Sequence, residues 1–240
     1  MKKIDIHNHI LPGIDDGAKD EKMSLKMLRK AADDGITHLI ATPHFHYRRG
    51  HASPEEIRNK LLFIQEMADE EGIPVRLFSG NELYYTHDLL EIVKSKEALT
   101  LADSDYVLLE FSPETEQRKI QNAVYQFLSE GYYPVIAHME RYQAFYKHPD
   151  FVETILEMGA YYQINAGSIM GDSGWSLKRF ARNMIKNGMI QFVATDAHDL
   201  EKRQPRLDEV SDWMKKKIEE SEIRDYLYEN PLKILENKAL

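Results

Sequence analysis

Seven short apolar runs alternate along the chain with longer segments that have helical periodicity. The apolar runs occupy residues 4–6, 38–42, 75–79, 106–109, 134–137, 161–164 and 190–194. The clearest helical segment begins at Ser53, an N-cap residue followed by Pro54 and by Glu56 at the third helical position, and it ends before Gly72. Strands that alternate with helices at intervals of about 30 residues are typical of βαβ units. We therefore predict a parallel sheet covered by helices.

Further amphipathic segments support the same alternation. Four of them end at a glycine and predict helices over residues 21–34, 116–130, 151–158 and 177–187. A last apolar stripe predicts a final helix packed on the outside of the sheet, and its members are Leu207, Val210, Met214 and Ile218.

Each predicted strand ends in polar side chains, most of which can bind a metal. These residues are His7 and His9, His44 and His46, Glu82, Glu110, His138, Asn165, and Asp196 with His198. The carboxyl ends of the strands in a parallel barrel share one rim, so we expect these groups to meet there. Any one of them could instead cap a helix or pair with a surface charge, but that explanation would have to hold at all seven strand ends.

The first strand carries the most distinctive pair. Side chains alternate between the two faces of a strand, so Ile4 and Ile6 are expected on one face, and Asp5, His7 and His9 on the other. Two imidazoles would then point to one place, as in a metal site.

Composition excludes several classes of protein. The 240 residues are 42% hydrophobic and 30% charged, with no linker or low-complexity block, which predicts one domain over residues 1–240. The absence of cysteine excludes disulfides, zinc–thiolate sites and a cysteine nucleophile. A net charge of −9 argues against nucleic acid as a partner. No apolar run approaches the roughly 20 residues of a membrane span, so we expect a cytoplasmic protein without membrane insertion.

Seven sequence elements together resemble one known family. They are DIHNHILPGIDDG at 5–17, ATPH at 41–44, GNE at 80–82, LE at 109–110, AHMERY at 137–142, QINAGS at 163–168 and TDAH at 195–198. The chain resembles the polymerase and histidinol phosphatase (PHP) family of metal-dependent phosphoesterases. Within that family it is most similar to the bacterial manganese-dependent tyrosine phosphatases of capsule and exopolysaccharide synthesis. Met139 stands where that branch is expected to have proline.

The resemblance implies a distorted (β/α)7 TIM-like barrel of the PHP type that holds up to three metal ions. One ion would be bound by His7, His9, Glu82 and Asp196, a second by Glu82, Glu110 and His138, and a third by Asp16, His44 and His198. Manganese is the metal that the family implies. A mixed set of histidine and carboxylate ligands also suits Fe²⁺, Zn²⁺ or Co²⁺, and suits Mg²⁺ less well.

The expected chemistry is hydrolysis of a phosphate monoester by a metal-bridging hydroxide. Arg141 and Arg203 resemble the phosphate-binding arginines of the family, because a guanidinium fork matches two phosphate oxygens. The resemblance implies that the substrate is a phosphotyrosine-containing protein, in particular the tyrosine-rich tail of a bacterial tyrosine kinase. The sequence leaves open a small-molecule phosphatase, such as one for histidinol phosphate, and a non-catalytic, metal-stabilised interaction module.

Other residues near the strand ends have no assigned role. Arg48, Arg49 and His51 could guide an anionic substrate or simply form a polar loop. Three aromatic residues could stack on a leaving group or pack the rim of the barrel, namely Tyr142, Phe145 and Tyr146. Three further histidines are expected not to bind metal, namely His46, His87 and His148.

Overall fold

A computed structural model describes residues 1–47 and 50–240. Arg48 and Arg49 lie outside the described residues. The described strands are β1 (Lys3–Asn8), β2 (Ile36–Ala41), β3 (His44–Phe45), β4 (Arg76–Ser79), β5 (Glu82–Tyr84), β6 (Tyr106–Glu110), β7 (Tyr133–Ile136), β8 (Tyr161–Asn165) and β9 (Phe192–Ala194). The α-helices are α1 (Glu21–Asp33), α2 (Pro54–Glu70), α3 (Leu89–Lys94), α4 (Gln117–Ser129), α5 (Gln143–Tyr146), α6 (Asp150–Met158), α7 (Ala166–Met170), α8 (Trp175–Lys186), α9 (Leu207–Met214), α10 (Glu220–Arg224) and α11 (Asn230–Leu235).

The pairings among the nine described strands are parallel, as predicted. The strands are hydrogen-bonded in the orders β1-β2-β4 and β3-β5-β6-β7-β8-β9. Only residues 42–43 separate β2 from β3, and only residues 80–81 separate β4 from β5. Each of these pairs is therefore one interrupted strand, and the seven predicted strands are confirmed.

The two edges of this parallel sheet approach each other at its carboxyl end. Asn8 at the end of β1 forms a parallel bridge with Ala197, which follows β9. The backbone N–H of His9 donates to the carbonyl oxygen of Ala197 at 2.9 Å, and the N–H of Asp196 donates to the carbonyl oxygen of His7 at 2.8 Å. The protein thus has an α/β fold with a curled parallel sheet, and these backbone hydrogen bonds join the first and last strand ends.

Most of the predicted helices are confirmed. Ser53 caps α2, because its Oγ accepts a hydrogen bond from the N–H of Glu56 at 3.1 Å. The predicted last helix is too long: α9 ends at Met214, whose carbonyl oxygen accepts the N–H of Lys217 in a tight turn. A separate helix, α10, starts just after it, with Glu219 and Glu222 forming a capping box.

The buried apolar residues form two clusters on opposite sides of the sheet. The larger cluster joins the helices to the outer face of the strands. In the smaller one, alternate residues of the strands pack on one another on the concave side, together with Ile234 of α11. Its strand members are Ile4, Ile6, Ile40, Tyr106, Leu108, Val135, Phe192 and Ala194. Within the described part of the chain, no helix is both long and apolar enough to cross a membrane.

Candidate metal centre

The side chains predicted at the strand ends converge on one place. The first group contains His7, His9, Glu82 and Asp196. Nε2 of His7 lies 3.3 Å from Nε2 of His9, and the two carboxylates approach these nitrogens at 3.3 to 3.5 Å. All four side chains are almost fully buried. The structure therefore brings together the four residues predicted for one ion.

Glu82 also belongs to a second group. Its Oε1 lies 2.7 Å from Nε2 of His138, which in turn lies 3.8 Å from Oε1 of Glu110. Nδ1 of His44 is 2.8 Å from Oε2 of Glu82 and 3.9 Å from Oε2 of Glu110. Glu82 is thus placed between the first and second groups. His44 lies beside this second group, although it was predicted to bind the third ion with Asp16 and His198.

The third group lies at the more open side of the centre. Oδ1 of Asp16 is 3.3 Å from Nε2 of both His44 and His198. The ring of His9 packs against His198, with centroids 3.7 Å apart. One potential ligand atom from each of His9, Asp16, His44 and His198 lies within 4.8 Å of the others. His9 therefore adjoins this group as well, which the sequence analysis did not predict.

The expected alternation along β1 fails after Asp5. Ile6 packs in the concave cluster, yet the next residue, His7, reaches the metal-site side chains. The pairing of β1 with β2 shifts register between Asp5 and Asn8, and this irregularity changes the direction of the side chains. Asp5 contacts Thr195 instead, accepting its backbone N–H at 2.9 Å and its hydroxyl at 2.5 Å.

Electrostatics in the centre are dominated by burial and by the crowding of charges. Burial and the neighbouring charge of Glu82 raise the pKa of Glu110 to about 7. Burial would also raise the pKa of Asp196, but His7, His9 and Arg141 hold it well below its usual range. The carboxylates of Glu82, Glu110 and Asp196 repel one another unless positive charge lies between them, and a divalent cation would supply that charge.

The histidines divide into two classes. Burial, with the charge of Arg141, lowers the pKa of His138 to about 4, and burial with the charge of His9 lowers that of His198 to about 3. Burial opposes protonation of His9 too, but the carboxylate of Asp15 raises its pKa well above the usual value. Metal ligands must be neutral imidazoles, so His138 and His198 are ready to bind, and binding through His9 would release any proton on its Nε2.

The donor set fits a divalent transition metal. Nε2 of His198 is buried and has no hydrogen-bond partner among the described residues, although Asp16 lies nearby. Buried nitrogen atoms are rarely left without a partner, and a metal ligand is one explanation for such an atom. Imidazole nitrogens mixed with carboxylate oxygens, without thiolates, suit Mn²⁺, Fe²⁺, Co²⁺ or Zn²⁺.

Two arginines border the centre, as predicted. Nη2 of Arg203 lies 2.7 Å from Oδ1 of Asp196, and Nη2 of Arg141 lies 3.1 Å from Oδ2. Arg203 returns to the centre because its carbonyl oxygen accepts the N–H of His198 and its own N–H donates to the side chain of Asp199. Both arginine side chains are about one-third exposed, at 34% and 36%, and they line a cavity of about 240 Å³ with Lys202.

Two residues beside the ligands were not assigned by the sequence analysis. Oδ2 of Asp15 lies 2.7 Å from Nδ1 of His9, so this carboxylate stands behind the imidazole while Asp16 faces His44. The sequence shows two adjacent aspartates but not which one points inwards. The hydroxyl of Tyr142 lies 3.1 Å from Nδ1 of His138 and accepts the N–H of Phe111 at 3.1 Å.

The remaining aromatic and histidine residues lie outside the centre. Phe145 is buried and packs on Phe151 and Tyr162, which agrees with a packing role. The ring of His46 stacks on Tyr84, with centroids 4.6 Å apart. His87 and His148 are exposed, and the ring of His51 packs on Phe45.

Comparison with known proteins agrees with this arrangement. Residues 3–236 match the family described as "Capsular polysaccharide synthesis, CpsB/CapC". The chain belongs to the CpsB/CapC family. It is 33% identical to tyrosine-protein phosphatase CpsB of Streptococcus pneumoniae over 242 residues, which cover 99% of this chain and 100% of that protein. It is likewise 33% identical to tyrosine-protein phosphatase YwqE of Bacillus subtilis, over 99% of this chain and 93% of the relative.

Solved structures show the same fold. A crystal structure from work on YwqE of Bacillus subtilis and CpsB of Streptococcus pneumoniae, described as unique metal-dependent tyrosine phosphatases, superposes with a TM-score of 0.93. It is 33% identical, over 99% of this chain and 96% of that one. The phosphotriesterase homology protein of Escherichia coli superposes with a TM-score of 0.63 over 98% of both chains, at 10% identity. That second likeness concerns the fold alone.

Proposed function

We propose that the protein is a metal-dependent tyrosine-protein phosphatase that hydrolyses phosphotyrosine in a protein substrate. The observation that carries the proposal is the convergence of nine predicted ligand residues that lie at or just after six of the strand ends. The chain aligns with 100% of CpsB and 93% of YwqE, both named tyrosine-protein phosphatases, which supports the same activity here. A histidinol-phosphate phosphatase or a non-catalytic module is not favoured by these relatives.

We assign the ligands of three ions as follows. His7, His9, Glu82 and Asp196 would hold the first ion, and Glu82, Glu110 and His138 the second. Asp16, His44 and His198 would hold the third, with His9 close enough to contribute. Bound divalent ions would lower the pKa of a coordinated water and neutralise charge on phosphate oxygens. Manganese is our proposed metal, because it is the metal that the resemblance to the capsule-type tyrosine phosphatases implies.

The side chains of the protein itself would bind and orient the phosphate. Arg141 and Arg203 lie at the edge of the centre. Each guanidinium has five N–H donors, and only Nη2 contacts Asp196. They would hold the phosphate oxygens that face away from the metals and stabilise charge as the bond to the tyrosine oxygen breaks. The sequence has no cysteine, so the thiolate route to phosphotyrosine hydrolysis is closed to this protein.

We further propose that the curled sheet is a distorted (β/α)7 barrel of the PHP type, formed by one domain over residues 1–240. The bridge between Asn8 and Ala197 supports closure. The proposed substrate is the tyrosine-rich tail of a bacterial tyrosine kinase of capsule or exopolysaccharide synthesis, because the family belongs to capsular polysaccharide synthesis. Such a tail would be met in the cytoplasm, and a cysteine-free chain suits that compartment.

The test is hydrolysis of a phosphotyrosyl peptide by manganese-supplemented protein, measured beside a phosphoseryl peptide and histidinol phosphate. We expect the phosphotyrosyl peptide to have the highest kcat/KM. Faster turnover of histidinol phosphate would assign the protein to the small-molecule phosphatases. No hydrolysis of any of the three by protein that retains bound metal would favour the interaction module.

A further inference from the structure

Two buried amide side chains lie beneath the candidate metal centre. Gln163 and Asn165 occupy alternate positions on β8, so both point to the same side of the sheet. They are 0% and 3% exposed. Nε2 of Gln163 donates to Oδ1 of Asn165 at 2.7 Å, which links the two amides. Neither residue belongs to the proposed ligand set.

The orientation of Gln163 follows from its partners. The backbone N–H of His138 can only donate, and it lies 2.8 Å from one terminal atom of Gln163, which must therefore be the carbonyl oxygen. The same oxygen lies 3.1 Å from Nδ1 of His7. Because this oxygen can only accept, Nδ1 of His7 carries the proton, and Nε2 of His7 is the nitrogen available to a metal.

The orientation of Asn165 is fixed from the other end. One terminal atom of Asn165 lies 2.6 Å from Oδ2 of Asp196. The carboxylate of Asp196 can only accept, so that atom must be the amide nitrogen, and the carbonyl oxygen then faces Gln163. The hydrogen bonds therefore form one continuous chain. The backbone N–H of His138 donates to Gln163, Gln163 donates to Asn165, and Asn165 donates to the carboxylate of Asp196.

Two of the groups held in this way have an unfavourable backbone conformation. His138 and Asp196 have φ values of 33° and 52°, in the left-handed region that residues other than glycine rarely adopt. Such conformations persist where the surrounding structure fixes them. Gln163 accepts the N–H of His138, and Asn165 contacts the side chain of Asp196, so the pair contributes to holding both residues.

We propose that Gln163 and Asn165 are positioning residues that select the Nδ1–H form of His7 and fix His138 and Asp196 for metal binding. The inference rests on the proposed metal centre. The pair connects ligands assigned to two different ions, His7 and Asp196 on the first and His138 on the second. Partners that orient metal ligands typically change metal affinity by about 10-fold to 100-fold when replaced. The amide pair should therefore affect metal affinity without contacting the metal.

The decisive variant is Asn165→Asp, which keeps the size and shape of the side chain but removes its donor. An ionised carboxylate at this position would face Asp196 with no hydrogen to share, and a proton held between the two acids would compete with the metal for Asp196. We expect Mn²⁺ affinity, measured by isothermal titration calorimetry on metal-stripped protein, to fall by about 10-fold or more. Urea unfolding in EDTA would show whether the metal-free variant is still folded.

The control is Gln65→Glu, the same change of amide to acid at another buried position. Gln65 lies on α2, accepts the N–H of Leu77 and donates to the carbonyl oxygen of Val75, at the start of β4 and not at a carboxyl end of a strand. A general effect of a new buried acid would lower the stability of both variants. The proposed role predicts a loss of Mn²⁺ affinity for Asn165→Asp alone.

A second pair of variants keeps the inference testable if Asn165→Asp does not fold. Gln163→Glu retains an oxygen that accepts from His7 and His138 but loses the N–H that donates to Asn165. Gln163→Met removes both the acceptor and the donor. We expect both to bind Mn²⁺ more weakly than wild type, with Gln163→Met the weaker of the two. Wild-type affinity in folded Asn165→Asp, or in both Gln163 variants, would overturn the positioning role. Failure of the wild-type protein to bind Mn²⁺ would instead overturn the proposed function.

Discussion

Arg141 places its Nη2 atom 3.1 Å from Oδ2 of Asp196, so the guanidinium is anchored at the edge of the candidate metal centre. This contact uses one Nη2 donor of the five N–H groups on the guanidinium. The side chain is about one-third exposed, so part of the guanidinium can be reached from the rim. Arg141 is therefore oriented before substrate arrives, and its free donors can contact a phosphate.

Replacing Arg141 should reduce catalysis more than metal binding. We expect Arg141→Ala to retain its metal and its fold but to lose about 100-fold or more in kcat/KM on a phosphotyrosyl peptide, as when one donor to a developing negative charge is removed. Arg141→Lys should recover only part of this, because an ammonium group lacks the planar fork. Metal content by elemental analysis and steady-state kinetics provide the measurements.

The matched control for that experiment is Arg118→Ala, an exposed arginine on α4. It should leave kcat/KM unchanged. Wild-type kcat/KM in Arg141→Ala, or loss of its metal, would contradict the role in phosphate binding.

Glu82 should be the most sensitive carboxylate in the centre, because its two oxygens face different groups. Oε1 lies 2.7 Å from His138 and Oε2 lies 2.8 Å from His44. Glu82→Gln should lower both metal stoichiometry and kcat, whereas the exposed Glu157→Gln on α6 should change neither.

Removing metal with a chelator should abolish phosphatase activity, and re-addition of Mn²⁺ should restore it. Full activity of metal-free protein, checked by elemental analysis, would be incompatible with the mechanism.

Tyr142 should affect the metal centre through His138. Its hydroxyl is buried, lies 3.1 Å from Nδ1 of that histidine and accepts the N–H of Phe111. Tyr142→Phe therefore removes the partner that orients the imidazole, together with the acceptor for Phe111, but keeps the aromatic ring of residue 142. We expect about a 10-fold loss of Mn²⁺ affinity. Tyr162→Phe is the matched control, because the hydroxyl of Tyr162 is also buried but donates to the carbonyl oxygen of Val152. An equal loss of affinity in the two variants would show that the effect is not specific to His138.

Asp34 should make stability depend on pH. Its carboxylate accepts the backbone N–H groups of Leu207 and Asp208 at the start of α9, and burial raises its pKa to about 6. An acid whose pKa is higher in the folded state stabilises the fold at pH values below its unfolded pKa of about 4. That contribution is lost as the pH rises through about 6.

The measurement is urea unfolding of metal-stripped wild type and Asp34→Asn at about pH 4.5 and about pH 7. The free energy of unfolding of wild type relative to Asp34→Asn should be smaller at the higher pH, because the variant does not titrate there. The exposed Asp150→Asn on α6 serves as a control for the general loss of one carboxylate. A difference that is constant with pH would contradict the assigned titration.

The sequence by itself determined most of the strands and helices, and it predicted the members of the candidate site. Apolar periodicity gave the positions of the strands, and N-cap residues and terminal glycines gave most helix ends, because these signals depend on neighbouring residues only. The polar residues at strand ends were also readable, since parallel strands must bring their carboxyl ends to one side. The resemblance to a family then divided these residues among three ions.

Only the tertiary structure decided how the individual side chains meet. At the irregular pairing of β1, the carboxylate of Asp5 accepts hydrogen bonds from Thr195, whereas the imidazole of His7 reaches Glu82 and Asp196. The position of Asp15 behind His9 and the amide pair of Gln163 and Asn165 depend on contacts between residues distant in sequence. Such contacts follow from packing and from the satisfaction of buried polar groups, which no local pattern in the chain encodes.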